Sequence, residues 1–547
     1  MDVSQAVVER LAADGIDTVF GIPGKQTLPL NEAIGRRDDV RYVMARHETA
    51  VSHQAWGYAE TSGRPAATVV VPGPGDMNAM NGLKNAYNDC TPLVHLAVET
   101  DPELRGGDGI HETPPETYDT VVKANRLVEA PERTAVVLEE AIAVAQTPPK
   151  GPVRVGIPKS FLSMDVPVAT AGEYSRAFVS GVPEREIETA ADLLADANEP
   201  IIVAGGGVRA AGASDHLRRV ADRLGAPVVA TYKGKGVLPD GDGGCVAGTL
   251  SGSASPELLD LLADADAALG VGTDFDAVAT RAWDVDVPGT LVHVTLAADD
   301  LATGYEPTVG IVADAGEALA ALEDALADRE LSAGDAVERA AAVRAAASDR
   351  LEDLRTSSPP LTSVAALEAV REAVPREAIV AADAGGFRVW ALNAFEAAGP
   401  RSYVNPGSWA SMGTGLPSGI GAQLANPDEN VVVLTGDGGL MMCVHELHTA
   451  VAEGLPLTVV VFANADYAII SDEAERSYDL GAGAYDWADA PIDFTALAES
   501  VGMRAERAET PSEVRSALES AIDADEPTLL EVPTDPDEPQ AGDWMAE

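Results

Sequence analysis

The chain has 547 residues, 88 of them acidic and 37 basic, for a formal net charge of −51. That length predicts about three or four domains, each able to bury a full core. No basic face is visible, which argues against nucleic-acid binding, and no run of ~18 apolar residues predicts a membrane span. Lys is rare (seven, against thirty Arg) and the acidity is spread along the whole chain. This reads as a halophile's surface and predicts salt-dependent folding, because self-repulsion is unscreened at low salt. The N-terminus lacks a basic n-region, so no signal peptide is expected. Cys90, Cys245 and Cys443 form no CxxC pair, so a cytoplasmic protein without disulfides is expected.

Strand-like and helix-like segments alternate in three blocks, which predicts parallel α/β sheets. The first block is residues 1–170. It has a helix near Val3–Ala13, a strand Thr18–Phe20, the turn Gly21-Ile22-Pro23-Gly24 and a strand Arg41–Ala45 leading into Arg46-His47-Glu48. A helix to Thr61, a strand Ala67–Val71, the turn Pro72-Gly73-Pro74-Gly75-Asp76-Met77-Asn78 and a strand Leu93–Val98 follow. Alone, Glu48 reads as a first-turn carboxylate that complements a helix dipole. A Pro- and Gly-containing stretch near 165–185 reads as a linker. The second block, 186–330, has a strand Ile201–Ala204, Gly205-Gly206-Gly207, a helix near Ala213–Leu224 and a strand Pro227–Ala230. A helical connector, 331–360, leads to the third block, 361–535. The tail Thr534–Glu547 is acidic, contains Pro and is expected to be mobile.

The third block carries the sharpest motif. A strand Val431–Leu434 ends just before Gly436-Asp437-Gly438-Gly439. A short helix Glu446–Glu453 and a strand Leu457–Phe462 then lead to Asn464-Ala465-Asp466. One helix and one strand bring Asp437 and Asn464 back to the same sheet edge, where open parallel sheets bind ligands. Such oxygen ligands suit Mg²⁺ or Ca²⁺, and Mg²⁺ usually sits against a phosphate. Gly438 and Gly439 let backbone N–H groups approach that phosphate. Ala384-Gly385-Gly386, after a strand Ala378–Ala382, offers further backbone contacts. Met412, in Ser411-Met412-Gly413-Thr414-Gly415-Leu416-Pro417, reads by itself as core filling.

In combination these motifs resemble the thiamine-diphosphate (ThDP) enzymes. Gly21–Gly24, Arg46-His47-Glu48 and Pro72–Asn78 are similar to the pyrimidine-binding domain of the acetolactate synthase branch. The resemblance spans nearly the whole chain and implies three consecutive α/β domains: pyrimidine-binding, central Rossmann-like and diphosphate-binding. It implies that Glu48 bonds N1′ of the aminopyrimidine and activates the cofactor; burial beside an apolar ring suits that role by raising a carboxyl's pKa. It further implies Gly24, Pro74, Asn78, Ala384, Gly385, Gly386, Gly436, Gly438 and Gly439 as cofactor contacts. Asp437 and Asn464 would hold Mg²⁺, with Asp466 as the third metal contact, often through the main-chain carbonyl in this family. Met412 would wedge between the cofactor's rings. Ala463 replaces the first of the family's usual paired asparagines. The cofactor lies between subunits in that family, so a homodimer or homotetramer is implied, with Glu48 serving a cofactor held by the partner subunit's Asp437. A regulatory subunit is a further partner to test for, and branched-chain amino acid biosynthesis is the implied context.

Departures from the pattern concern flavin and substrate. Ala204–Val208 and Lys233-Gly234-Lys235-Gly236 resemble a FAD-carrying central domain. Asp274, however, stands where the family commonly has Arg, and Thr295 where it commonly has an acid. A carboxylate beside a diphosphate is repulsive, so FAD is not expected. Glu99 replaces a family glutamine and Glu473 a Trp. Unless protonated or paired, both would disfavour a simple 2-oxo acid and suit a hydroxylated, cationic or aldehyde substrate. Ile470 replaces the proton-donating Glu of pyruvate-decarboxylase relatives, which favours carbon–carbon bond formation. His111, in Gly109-Ile110-His111-Glu112, is the one nearby histidine and a catalytic candidate. The expected function is decarboxylation of a small 2-oxo acid with carboligation. A non-ligating decarboxylase or lyase on another substrate is the alternative, and a FAD- or NAD-binding oxidoreductase a more distant one.

Overall fold

The computed structural model describes residues 1–107, 109–167, 181–331, 334–478, 480–481 and 483–546, with Ala302 as backbone only. The expected linker near 165–185 lies largely outside the described residues. Eighteen strands among the described residues form three six-stranded, all-parallel sheets. The first contains β1 (Thr18–Gly21), β2 (Arg41–Met44), β3 (Ala66–Val70), β4 (Leu93–Glu99), β5 (Ala124–Leu127) and β6 (Val153–Pro158), in spatial order β2-β1-β3-β4-β6-β5. The second contains β7 (Pro200–Ala204), β8 (Val228–Thr231), β9 (Val246–Leu250), β10 (Ala267–Val271), β11 (Leu291–Thr295) and β12 (Val309–Val312), ordered β12-β11-β10-β7-β8-β9. The third contains β13 (Ile379–Ala382), β14 (Tyr403–Val404), β15 (Val431–Gly436), β16 (Thr458–Ala463), β17 (Arg504–Arg507) and β18 (Thr528–Pro533), ordered β14-β13-β15-β16-β18-β17.

Helices cover both faces of each sheet, so the central strands are buried on both sides and read as unbroken apolar runs. In β15, Val431 to Thr435 are all buried, as are Thr458 to Phe462 in β16. Registers such as Leu434 opposite Val460 bring the strand ends level. The loops that carry the motifs therefore emerge along one edge.

The first and third domains meet through the helices Glu48–Ser62 and Gly415–Ala425. Their crossing is set by glycine: a Cβ on Gly421 would fall 1.9 Å from the carbonyl oxygen of Gln54. Only a bare backbone allows so close an approach. The connector is helical at Ala336–Arg350. The tail differs from expectation. Met545 is fully buried in the third domain's core, and Trp544 Nε1 donates to the carbonyl of Arg350 at 2.9 Å. Apolar anchors at its end outweigh the acidic composition. Among the described residues, no helix is long and apolar enough to cross a membrane.

Candidate active site

Every sequence-predicted site residue lies at or beyond the carboxyl end of a strand. In the first domain, β2 feeds the helix Glu48–Ser62, and His47 caps that helix by accepting the Thr49 N–H on Nδ1 at 3.2 Å. Glu48, half-buried, accepts a hydrogen bond from Asn78 Nδ2 at 3.0 Å. Asn78 stands in the first turns of the helix Pro74–Asn88, where Pro74 occupies the position that tolerates a missing N–H. Gly24 closes a turn with Thr27 by accepting and donating hydrogen bonds. His111 is exposed; its Nδ1 lies 3.4 Å from Gln26 Nε2, and its carbonyl packs against Gly73.

In the third domain, Asp437 begins the short helix after β15 and is buried. Its Oδ1 accepts the Gly438 N–H at 2.8 Å and its Oδ2 the Ala465 N–H at 2.7 Å. Burial pushes its pKa up to about 6 against those hydrogen bonds. Among the described residues this buried carboxylate is held by backbone N–H groups and by no cation, which fits it to receive one. Ala465 adopts a left-handed conformation (φ 58°) to aim its N–H there, a strain that functional sites commonly store. Asn464 Oδ1 accepts the Asp466 N–H at 3.1 Å, and the Asp466 carboxylate accepts from Ser471 Oγ at 2.6 Å. One oxygen of that carboxylate, Oδ1, is thus engaged by Ser471. Among the described residues no cluster of three His, Cys, Asp or Glu could hold a metal alone. A cation at Asp437 needs Asn464 and further oxygens, as a diphosphate would supply.

The glycines beside Asp437 are covered closely. A Cβ on Gly438 would lie 2.5 Å from the Tyr467 ring and 3.4 Å from Met412 Cε, so Met412 reaches the same spot. The Met412 loop is tied to the first domain by Asn81, which donates to Ser411 Oγ at 2.9 Å and accepts from Trp409 Nε1 at 2.6 Å. Gly385 precedes the helix Gly386–Ala394, and no side chain caps that helix's N-terminus, whose N–H groups could receive an anion.

Two organising residues escaped the sequence reading. Asp383, fully buried, accepts from the N–H groups of Ala384 (2.7 Å), Gly413 (3.1 Å) and Thr414 (3.1 Å) and from Thr435 Oγ1 (3.0 Å). It staples three site loops together. Glu446, also fully buried, accepts from the N–H groups of Arg46 and His47, from Gln54 Nε2 and from Thr449 Oγ1. The only sequence signal for Asp383 is a carboxylate between an apolar strand and Ala-Gly-Gly.

The two extra carboxylates are both paired. Glu99 bonds Arg154, which also holds buried Asp76 at 2.6 and 3.0 Å. Half-buried Glu473 bonds Arg476 at 2.7 Å.

Family models for thiamine pyrophosphate enzymes match the chain in three parts: the N-terminal TPP binding domain over residues 1–121, the central domain over 187–322 and the C-terminal TPP binding domain over 383–532. The chain belongs to the thiamine pyrophosphate enzymes. Its relatives place it in the acetolactate synthase-like branch. A probable acetolactate synthase large subunit of Methanococcus aeolicus is 28% identical, over 98% of this chain and 92% of that protein. A probable chloroplastic acetolactate synthase 2 of Oryza sativa is 31% identical, over 96% and 82%. A probable 2-ketoarginine decarboxylase of Pseudomonas aeruginosa is 33% identical, over 86% and 84%. The chain is therefore a ThDP-dependent enzyme.

The flavin that the branch suggests fits this chain poorly. A cavity of about 620 Å³ lies where the three domains meet, lined by Gly206, Arg209, Lys233, Asp274, Asp276 and Arg401, among others. Its cations are already engaged: Arg209 and Lys233 hold Glu60 at 2.5 and 3.1 Å, and Arg401 donates to the Glu60 carbonyl at 2.8 Å. Burial, then its neighbour Asp276, raises the pKa of Asp274. The glycine turn serves the chain itself, since a Cβ on Gly205 would lie 2.2 Å from the Gly272 carbonyl oxygen.

Proposed function

We propose that this enzyme decarboxylates a small 2-oxo acid and joins the remaining fragment to a second carbonyl compound, using ThDP and Mg²⁺. The observation that carries the reading is the Asp437 carboxylate, buried and held, among the described residues, by N–H groups beside Asn464. Asp437, Asn464 and the Asp466 carbonyl would hold the metal. Gly436, Gly438, Gly439, Ala384, Gly385 and Gly386 would hold the diphosphate, and Gly24, Pro74 and Asn78 would border the pyrimidine. When bound, thiamine diphosphate supplies the nucleophilic carbon and the electron sink for loss of CO₂. Glu48 would hold the proton at N1′, with Asn78 fixing its carboxylate. Met412 would set the cofactor's bend. His111 would border the entrance as a polar group.

Carboligation is favoured by the apolar side chain at Ile470, which offers no proton. Ile470 and Met442 are 54% and 52% exposed, and this apolar surface beside the site supports a homodimer or homotetramer that would cover it. A regulatory subunit and a cytoplasmic setting belong to the same proposal; FAD does not.

A simple decarboxylase on a cationic 2-oxo acid is the second reading, supported by the similarity to the probable 2-ketoarginine decarboxylase. The pairing of Glu99 and Glu473 removes two carboxylates that would have favoured it. Incubation with ThDP, Mg²⁺ and pyruvate in high KCl separates the readings. Acetolactate with CO₂ supports carboligation; acetaldehyde with CO₂ supports simple decarboxylation. Silence on pyruvate with turnover of 2-ketoarginine supports the cationic substrate.

A further inference from the structure

A row of polar side chains crosses one face of the first sheet. Thr68 on β3 stands opposite His95 on β4, His95 opposite Arg154 on β6, and Arg154 opposite Asn125 on β5. Successive strand residues point to opposite faces. Val69, Leu96 and Val155, one residue along, join the apolar core on the other face, with Leu138 of the helix Thr134–Gln146.

The row is bonded from end to end through Asp76. His95 Nδ1 lies 2.6 Å from Thr68 Oγ1, and its Nε2 lies 2.9 Å from Asp76 Oδ1. Arg154 Nε and Nη2 donate to Asp76 Oδ2 at 3.0 and 2.6 Å, and its Nη1 donates to Asn125 Oδ1 at 3.1 Å. Arg154 also bonds Glu99, and the Tyr118 ring covers its guanidinium at 4.1 Å. Thr68, His95, Asp76 and Arg154 are all buried. Burial pushes the Asp76 pKa up, yet His95 and then Arg154 more than offset it and keep the carboxyl below its usual range. An ionised carboxylate only accepts, so His95 Nε2 carries a hydrogen and donates it.

What the row grips is the first turn of the helix Pro74–Asn88. Asn78 Nδ2 donates to Glu48 Oε2 at 3.0 Å, and the Gly75 backbone lies so near that a Cβ there would fall 3.1 Å from Glu48 Oε1. Asp76 sits between these two contacts. Thr49, next to Glu48, adds a hydrogen bond from Oγ1 to the Asn78 carbonyl at 2.8 Å. Stability alone does not account for the row. Buried ion networks are often no more stabilising than apolar side chains of the same volume, whereas a fully bonded network fixes one geometry.

We propose that this row is a positioning device for Glu48: His95 and Arg154 hold Asp76, and Asp76 holds Gly75 and Asn78 against the two oxygens of the Glu48 carboxylate. This rests on the reading of Glu48 as the group that activates ThDP. The test needs no substrate. In the ThDP- and Mg²⁺-loaded protein in high KCl, NMR after acid quench measures how fast bound ThDP exchanges its C2 hydrogen in D₂O. Calorimetry gives the ThDP bound, so that exchange is expressed per occupied site, and the melting midpoint is measured alongside. Glu48→Gln should slow exchange roughly 10²-fold or more. His95→Ala should slow it roughly 10- to 100-fold, the cost of a misplaced group. His95→Gln, whose amide can still donate to Asp76, should recover most of that loss. Leu138→Ala destabilises the same sheet from its other face and should leave exchange per bound ThDP unchanged. Thr68→Val removes the far partner of His95, should slow exchange by a smaller factor, and carries the test if His95→Ala fails to fold. Unchanged exchange in the His95→Ala or Thr68→Val protein, no recovery in His95→Gln, or an equal loss in Leu138→Ala would overturn the proposal while leaving Glu48 in its role. Unchanged exchange in Glu48→Gln would remove the reading of Glu48, and this proposal with it.

Discussion

The Glu446 carboxylate, in the third domain, accepts the backbone N–H of His47, in the first, at 3.1 Å. The same Oε1 takes the Arg46 N–H at 2.8 Å, while Oε2 takes Gln54 and Thr449. The turn that delivers Glu48 is thus fixed from another domain. Burial raises the Glu446 pKa, and its four donors work against that shift. Glu446→Ala should strand those donors and lower stability by about 1–3 kcal/mol. A thermal melting midpoint equal to that of the unaltered protein would show that the staple is dispensable.

Glu48→Gln is nearly isosteric, and its amide oxygen can still accept from Asn78 Nδ2, so the fold and the melting midpoint should be retained. What it loses is the ability to exchange a proton with N1′. Turnover should fall by about 10²–10⁴-fold, the usual worth of a positioned acid–base group. Near-normal turnover with ThDP and Mg²⁺ would remove Glu48 from the proposed role.

The parallel sheets were legible because their central strands are apolar throughout: β15 and β16 each show as a β-branched run followed at once by a polar motif. Of the edge strands, Arg41–Met44 was legible, but those of the third sheet were not. β17 reads Arg-Ala-Glu-Arg, half exposed and with no run to mark it, and β14 is two residues long. The Asp437 and Glu48 motifs were visible because each is local in sequence. Asp383 and Glu446 were not, since what defines them is the donors brought to them from loops distant in the chain. The pairing of Glu99 with Arg154 was hidden for the same reason. A mobile tail followed from composition, and Met545 refuted it through one buried side chain.

Because Arg209 and Lys233 in the three-domain cavity already hold Glu60, the purified protein should be colourless. Burial raises the Glu60 pKa, yet Arg209 and Lys233 more than offset it and keep the carboxyl well below its usual range. A flavin diphosphate would have to break these pairs and face Asp274. FAD titrated into the protein should cause no saturable fluorescence quenching at micromolar concentration. Yellow protein, or tight saturable quenching, would contradict this reading of the cavity.

Glu538 predicts a pH effect on stability. Its carboxylate accepts from the N–H and Oγ of Ser363, but burial, with Asp535 adding, raises its pKa from 4.5 to about 7. The folded state therefore favours the protonated form. That contribution is full below about pH 4.5 and is lost as pH rises through about 7. Glu538→Gln stays neutral throughout, so the difference in stability between variant and parent should grow in the variant's favour across this window. Parallel melting curves at pH 5 and pH 7.5 would rule the effect out.

The net charge of −51 sets the last expectation. Many arginines are spent on specific carboxylates, as in Arg329 with Glu188 and Asp192 and in Arg355 with Glu352 and Glu368. Exposed pairs of this kind contribute only about 0–1 kcal/mol each, too little to offset the repulsion of the remaining surface carboxylates. At ~10 mM salt the screening length is ~30 Å, comparable to a domain, whereas at 1 M it is ~3 Å. The melting midpoint should therefore climb steeply with KCl and begin to level off near molar concentration. A midpoint independent of salt from 10 mM to 1 M would mean that the acidic surface is held by something other than screening.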